Sequence, residues 1–107
     1  MTSVNTASDL TTTSPLRSAG SKGKILIVDD EANARNALAE LLDDAGYTVS
    51  TAADGRTALL QVEQADPDVV LTDLKMPGMD GLSLIEQGRP IAPHATFIVM
   101  TAFATID

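Results

Sequence analysis

The chain contains no cysteine. Disulfides and thiolate metal sites are therefore excluded, and the fold must be held by packing alone. Positive charge is also scarce, with seven Lys and Arg against fifteen Asp and Glu and a net charge of −8. Such a surface repels nucleic acid and anionic lipid, so any nucleic-acid role would need another domain. No apolar run approaches the length that spans a bilayer, and the N-terminus lacks the apolar core of a signal peptide. A reducing, cytoplasmic compartment suits these absences, with neither membrane nor nucleic acid as a direct partner. What is present, 107 residues at 44% hydrophobic content, is enough for one domain with one core.

Residues 1–23 are rich in Ser and Thr, carry Pro15, Gly20 and Gly23, and read as a disordered leader. The fold is expected to begin at Lys24, with a short apolar run, Ile25 to Val28, that ends on Asp29, Asp30 and Glu31. From Ala32 the period changes to that of a helix, with Ala34, Leu38, Leu41 and Ala45 on one stripe and Arg35, Asn36, Glu40 and Asp43 opposite. Asp30 or Glu31 can cap its start, and Gly46 supplies the left-handed residue at its end. Tyr47 to Ala52 suits a partly exposed edge strand. A turn at Asp54-Gly55 leads to a second helix, with Ala58, Leu59 and Val62 inward, stopped before Pro67.

Val69-Val70-Leu71 then carries the backbone to Asp73, and the pattern breaks at once into Leu74-Lys75-Met76-Pro77-Gly78. This is a buried parallel strand emptying into a loop. A short helix follows from Gly81, with Leu82 and Ile85 on its packed face, and Thr96 to Met100 forms a fourth strand that closes on Thr101. The order β-α-β-α-β-α-β predicts an α/β fold, a doubly wound parallel sheet with helices on both faces.

In such a sheet the carboxyl ends of the first and third strands bring Asp29, Asp30 and Asp73 to one rim, where ligands bind. Taken singly, Asp73 suits a turn cap and Asp29-Asp30 suits a helix N-cap pair. Taken together, three carboxylates without a basic partner suit a divalent cation, and Mg²⁺ that keeps some of its waters fits them best. A metal there also neutralises an incoming phosphoryl group, which lets an aspartate act as nucleophile. Thr101, just past the fourth strand, places a hydroxyl at the same rim.

These residues resemble a known family. The acid pair Asp29-Asp30 after an apolar strand, the segment DLKMPGMDG around Asp73, and Met100-Thr101-Ala102 look like the receiver domain of two-component response regulators over residues 24–107. The wording from Met100 to Asp107 is most similar to receivers of NtrC-type transcription regulators. The resemblance implies a flavodoxin-like (CheY-like) fold in which a sensor histidine kinase phosphorylates Asp73. It implies Mg²⁺ held by Asp30, Asp73 and the backbone carbonyl of Lys75, with Asp29 acting mainly through water. It implies a switch role for the Thr101 hydroxyl, and another receiver or an output domain as partner.

Set against that family, the pattern stops after the fourth strand, so the expectation is a partial receiver, incomplete at the C-terminus. It lacks the fourth helix beyond Thr105-Ile106-Asp107, the fifth strand with its lysine, and the fifth helix. Lys75 is no replacement, and Arg35, Arg56 and Arg89 read as solvated charges. His94 reads as an exposed loop residue without flanking acids. The leading reading is a signalling module with at most autophosphatase activity, hence not an enzyme in the ordinary sense. Two alternatives stand beside it: a receiver remnant that acts only as an interaction module, and a Mg²⁺-dependent phosphohydrolase using Asp73 as nucleophile. Against the last, Lys75 occupies the position two residues after Asp73 where such enzymes carry a second acid.

Overall fold

Each strand is five residues long, and each helix starts where a carboxylate can accept its unpaired amides. The computed structural model describes residues 20–100. In chain order the elements are β1 (Lys24–Val28), α1 (Ala32–Asp44), β2 (Thr48–Ala52), α2 (Gly55–Ala65), β3 (Val69–Asp73), α3 (Gly81–Gly88) and β4 (Thr96–Met100). Glu31, Asp54 and Asp80 cap the three helices, accepting from the amides of Ala34, Thr57 and Ser83 respectively. Gly46, at φ 107°, turns the chain out of α1 as expected.

The strands form one parallel sheet in the order β2-β1-β3-β4. This is the expected doubly wound, flavodoxin-like α/β architecture. Central β1 is buried from Ile25 to Val28, on both faces. On one face Leu26, Val28 and Val70 pack with Ala58 and Val62 of α2 and Leu84 of α3. On the other, α1 lies over β2 and β1. It leaves Ile98 of β4 44% exposed and Leu71 half-buried. No helix among the described residues is long and apolar enough to cross a membrane.

Two helices are rotated from the faces that hydrophobicity predicts. In α1 only Leu38 of the expected stripe turns inward; Ala34, Leu41 and Ala45 are exposed, Leu41 at 65%, while Arg35, Ala39 and Leu42 join Leu38 half-buried against the sheet. In α3 Leu82 is 60% exposed, and the buried positions are Gly81, Leu84 and Gly88. The reason is steric. A Cβ on Gly88 would lie 2.9 Å from the Phe97 ring, and one on Gly81 would strike the backbone of Asp73, so the glycines mark the contact face and Leu84 shares it.

The expected leader boundary also moves. Residues 20–23 are tied to the turn after α1, with Lys22 donating its amide to Gly46 at 2.9 Å and Thr48 donating its hydroxyl to Ser21 Oγ at 2.8 Å. Residues 1–19 lie outside the described residues. His94 is exposed as expected but does have an acidic partner. Its Nε2 is 2.9 Å from Asp66 Oδ1, brought close by the left-handed turn at Asp66 that ends α2.

Candidate functional site

The register of β1 against β3 pairs Val28 with Thr72, so the residues that follow, Asp29 and Asp73, emerge side by side at the carboxyl edge. Asp30 is one residue further along the same turn. One oxygen from each of the three carboxylates can be chosen so that all three lie within 4.8 Å of one another. Among the described residues no Lys or Arg forms an ion pair with any of them. The convergence expected at this rim is therefore what the fold produces.

Local hydrogen bonding fixes each member. The Asp29 amide donates to Ala52 of β2 at 3.2 Å, and its Oδ1 accepts from the Glu31 amide at 3.0 Å. The Asp73 carbonyl accepts the buried hydroxyl of Thr72 at 3.0 Å, and the Gly81 amide donates to the next carbonyl, Leu74, at 2.8 Å. Asp73 is half-buried. Loss of water pushes its carboxyl above the ordinary carboxylate range, the negative charges of Asp29 and Asp30 push the same way, and the amides of Leu74 and Lys75 partly oppose them.

Lys75 sits in the loop after β3 with its side chain exposed and its amide directed to the Asp73 carboxylate. Thr101 lies outside the described residues. Arg56 and Arg89 are exposed as expected. Arg35 is not a solvated charge: it is half-buried, and its Nη1 donates to the main-chain carbonyl of Asp29 at 2.9 Å. Helical side chains lean toward the helix N-terminus, which is how a residue in the first turn of α1 reaches back to the acid pair. That lean, and not the hydrophobic period, was the signal available in the sequence. Gly81 and Thr72 are the other residues missed, Gly81 because it has no side chain and Thr72 because its hydroxyl is spent on the Asp73 carbonyl inside the strand.

The family profile for the response regulator receiver domain matches residues 25–107. The chain belongs to that family. This receiver is 42% identical over 84 residues to the sporulation initiation phosphotransferase F of Bacillus subtilis (strain 168), covering 78% of this chain and 68% of that protein. It is 38% identical over 86 residues to the DNA-binding transcriptional regulator NtrC of Salmonella typhimurium, covering 80% of this chain and 18% of the regulator. Among solved structures, the response regulator protein TrrA from Thermotoga maritima in complex with Mg²⁺-BeF matches at a TM-score of 0.71 and 38% identity, covering 76% of this chain and 70% of that one. The receiver domain of the hybrid histidine kinase CckA matches at 0.72 and 36%, covering 78% and 79%. As a receiver, the chain is a signalling module of two-component systems.

Proposed function

We propose that this receiver accepts a phosphoryl group on Asp73 from a sensor histidine kinase, in a reaction that needs Mg²⁺. The single observation that carries the reading is the convergence of Asp29, Asp30 and Asp73 at the carboxyl edge of the sheet. An all-oxygen set of three carboxylates, with no Lys or Arg ion-paired to them among the described residues, fits Mg²⁺, which binds through few carboxylates and keeps waters. Asp30, Asp73 and the Lys75 carbonyl would hold the ion, with Asp29 reaching it through water. When bound, the ion offsets the repulsion among the carboxylates and the charge on the arriving phosphoryl oxygens. TrrA, similar in sequence and fold and solved with Mg²⁺-BeF, supports the same assignment.

A carboxylate oxygen of Asp73 attacks phosphorus, the P–N bond to the kinase imidazole breaks, and its electron pair returns to the ring nitrogen. Half-burial limits the water around the attacking oxygen. The Thr101 hydroxyl is assigned the role of responding to the new phosphoryl group, and the output is a conformation read by another receiver or an output domain. Similarity to NtrC makes transcription regulation the favoured output, and a cytoplasmic location goes with it. No observation favours the phosphohydrolase or the remnant reading.

The test is incubation of the full chain with radiolabelled phosphoramidate and Mg²⁺. The wild type is expected to take up label that is lost in base and in chelator controls, and Asp73→Asn is expected to take up none. Equal labelling of Asp73→Asn would refute the assignment.

A further inference from the structure

Among the described residues Arg35 is the one basic side chain hydrogen-bonded to the acid pair, and it goes to a carbonyl and not to a carboxylate. The bond closes a ring of three hydrogen bonds through Asp29, Glu31 and Arg35, with the Glu31 cap on Ala34 as a branch. Asp29 Oδ1 accepts from the Glu31 amide at 3.0 Å, Glu31 Oε1 accepts from the Ala34 amide at 2.9 Å, and the Glu31 carbonyl accepts from the Arg35 amide at 3.0 Å. Arg35 Nη1 then returns to the Asp29 carbonyl at 2.9 Å. With the Asp29 amide bonded to Ala52, Asp29 is held at its amide, its carboxylate and its carbonyl. Asp30, by contrast, is exposed.

The carbonyl that Arg35 holds belongs to the peptide plane joining Asp29 to Asp30. Because that plane is rigid, fixing its oxygen fixes the amide and Cα of Asp30. The Glu31 amide, held by Asp29 Oδ1, fixes the next plane, and the two planes together set the direction in which the Asp30 side chain leaves the backbone. We propose that Arg35 is a positioning residue for the metal site: it sets the angle at which Asp30 faces Asp73 and thereby raises the affinity of the cluster for Mg²⁺. The inference rests on the Mg²⁺ reading given above and assigns its orientation to a residue outside the carboxylate cluster.

Charge and geometry predict opposite signs for its removal. A guanidinium bonded to the Asp29 carbonyl puts positive charge near the acid pair, which opposes a divalent cation, so deleting the charge alone tightens Mg²⁺ binding. Deleting the hydrogen bond frees the Asp29-Asp30 peptide and weakens it. Residues that orient metal ligands from behind change metal affinity by about 10- to 100-fold when replaced. We place Arg35 toward the lower end, because the Asp29 amide and carboxylate keep their own bonds.

The experiment titrates Mg²⁺ into the metal-free full chain by calorimetry for wild type, Arg35→Gln and Arg35→Lys, and measures hydrogen exchange at the Glu31 amide without metal. Arg35→Gln is expected to bind Mg²⁺ about tenfold more weakly, in the range for such orienting residues, with faster exchange at Glu31. Arg35→Lys keeps the charge with a single, differently placed donor group and is expected to fall between the two. Arg35→Gln binding Mg²⁺ as tightly as wild type, or more tightly, overturns the proposal. Should Arg35→Gln not fold, Arg35→Lys with wild-type affinity and wild-type exchange overturns it equally. Wild type that binds no Mg²⁺ sinks the metal reading itself, an outcome separate from the change on substitution.

Discussion

Gly81 opens α3 directly against the end of β3, at a distance where a single added methyl group would collide with the main-chain carbonyl of Asp73. Its amide also donates to the Leu74 carbonyl at 2.8 Å. The loop from Leu74 to Asp80 is thus closed at its base by a residue that has to be glycine for reasons of space. Gly81→Ala must push α3 off the strand or twist the Asp73 carbonyl out of place. Overpacking of this kind costs about 1–3 kcal/mol. A urea denaturation curve should show that loss, and the variant should also bind Mg²⁺ more weakly, since the displaced backbone is the one that carries Asp73. Unchanged stability would mean that the contact is looser than described.

The rotation of α3 yields a second prediction. Leu84 is fully buried between α2 and the sheet, whereas Leu82, two residues earlier and identical in type, is 60% exposed. Leu84→Ala should therefore cost about 2–5 kcal/mol by lost burial and a residual cavity. Leu82→Ala should fall within about 0.5 kcal/mol of wild type, as surface changes do. Thermal unfolding of the pair discriminates sharply, because the packed face read from the hydrophobic pattern, with Leu82 inward, predicts a large cost for Leu82→Ala.

That contrast shows what was legible in the sequence and what was not. The strands could be read because each is a continuous apolar or β-branched run that ends in a turn signal, and the parallel order then placed Asp29, Asp30 and Asp73 together without further information. The faces of α1 and α3 could not be read from the same pattern, because side-chain hydrophobicity is blind to close backbone approach. Gly81 and Gly88 score as nothing, yet they decide which side of α3 meets β3 and Phe97. Arg35 scores as polar and was placed outward, but the residue is half-buried and its guanidinium reaches a carbonyl. His94 and Asp66 stand far apart in sequence and meet only because a left-handed residue ends α2.

The helix caps supply an acid limb of stability. Asp54 and Asp80 each accept a backbone amide at 2.8 Å, from Thr57 and Ser83, and those bonds hold both carboxyls below the ordinary carboxylate value. A folded-state pKa below the unfolded one gives stability that is present above the unfolded value and is lost as pH falls through the folded one. Asp54→Asn and Asp80→Asn should keep much of the capping geometry while removing this pH dependence. Melting points recorded from neutral pH downward should fall less steeply for the variants than for wild type below the usual carboxylate range. A parallel fall in all three would show that other acids dominate.

Asp73 works in the opposite direction. Burial and the charges of Asp29 and Asp30 raise its folded-state pKa above the unfolded value, so between those two values the folded chain binds more protons than the unfolded one. The Asp73 contribution to the stability of the metal-free protein must then decrease as pH rises from the ordinary carboxylate range through the raised pKa of Asp73, and level off once the group is ionised in both states. Asp73→Asn removes both the titration and one of three mutually repelling charges, so at neutral pH without metal it should melt higher than wild type. Saturating Mg²⁺ should reverse that order, because an ion bound only to the folded state stabilises it and the variant has lost a ligand. Differential scanning calorimetry with and without Mg²⁺ measures both halves. If Asp73→Asn melts below wild type in chelator, the repulsion at the rim is already compensated, and the electrostatic case for a divalent cation there fails.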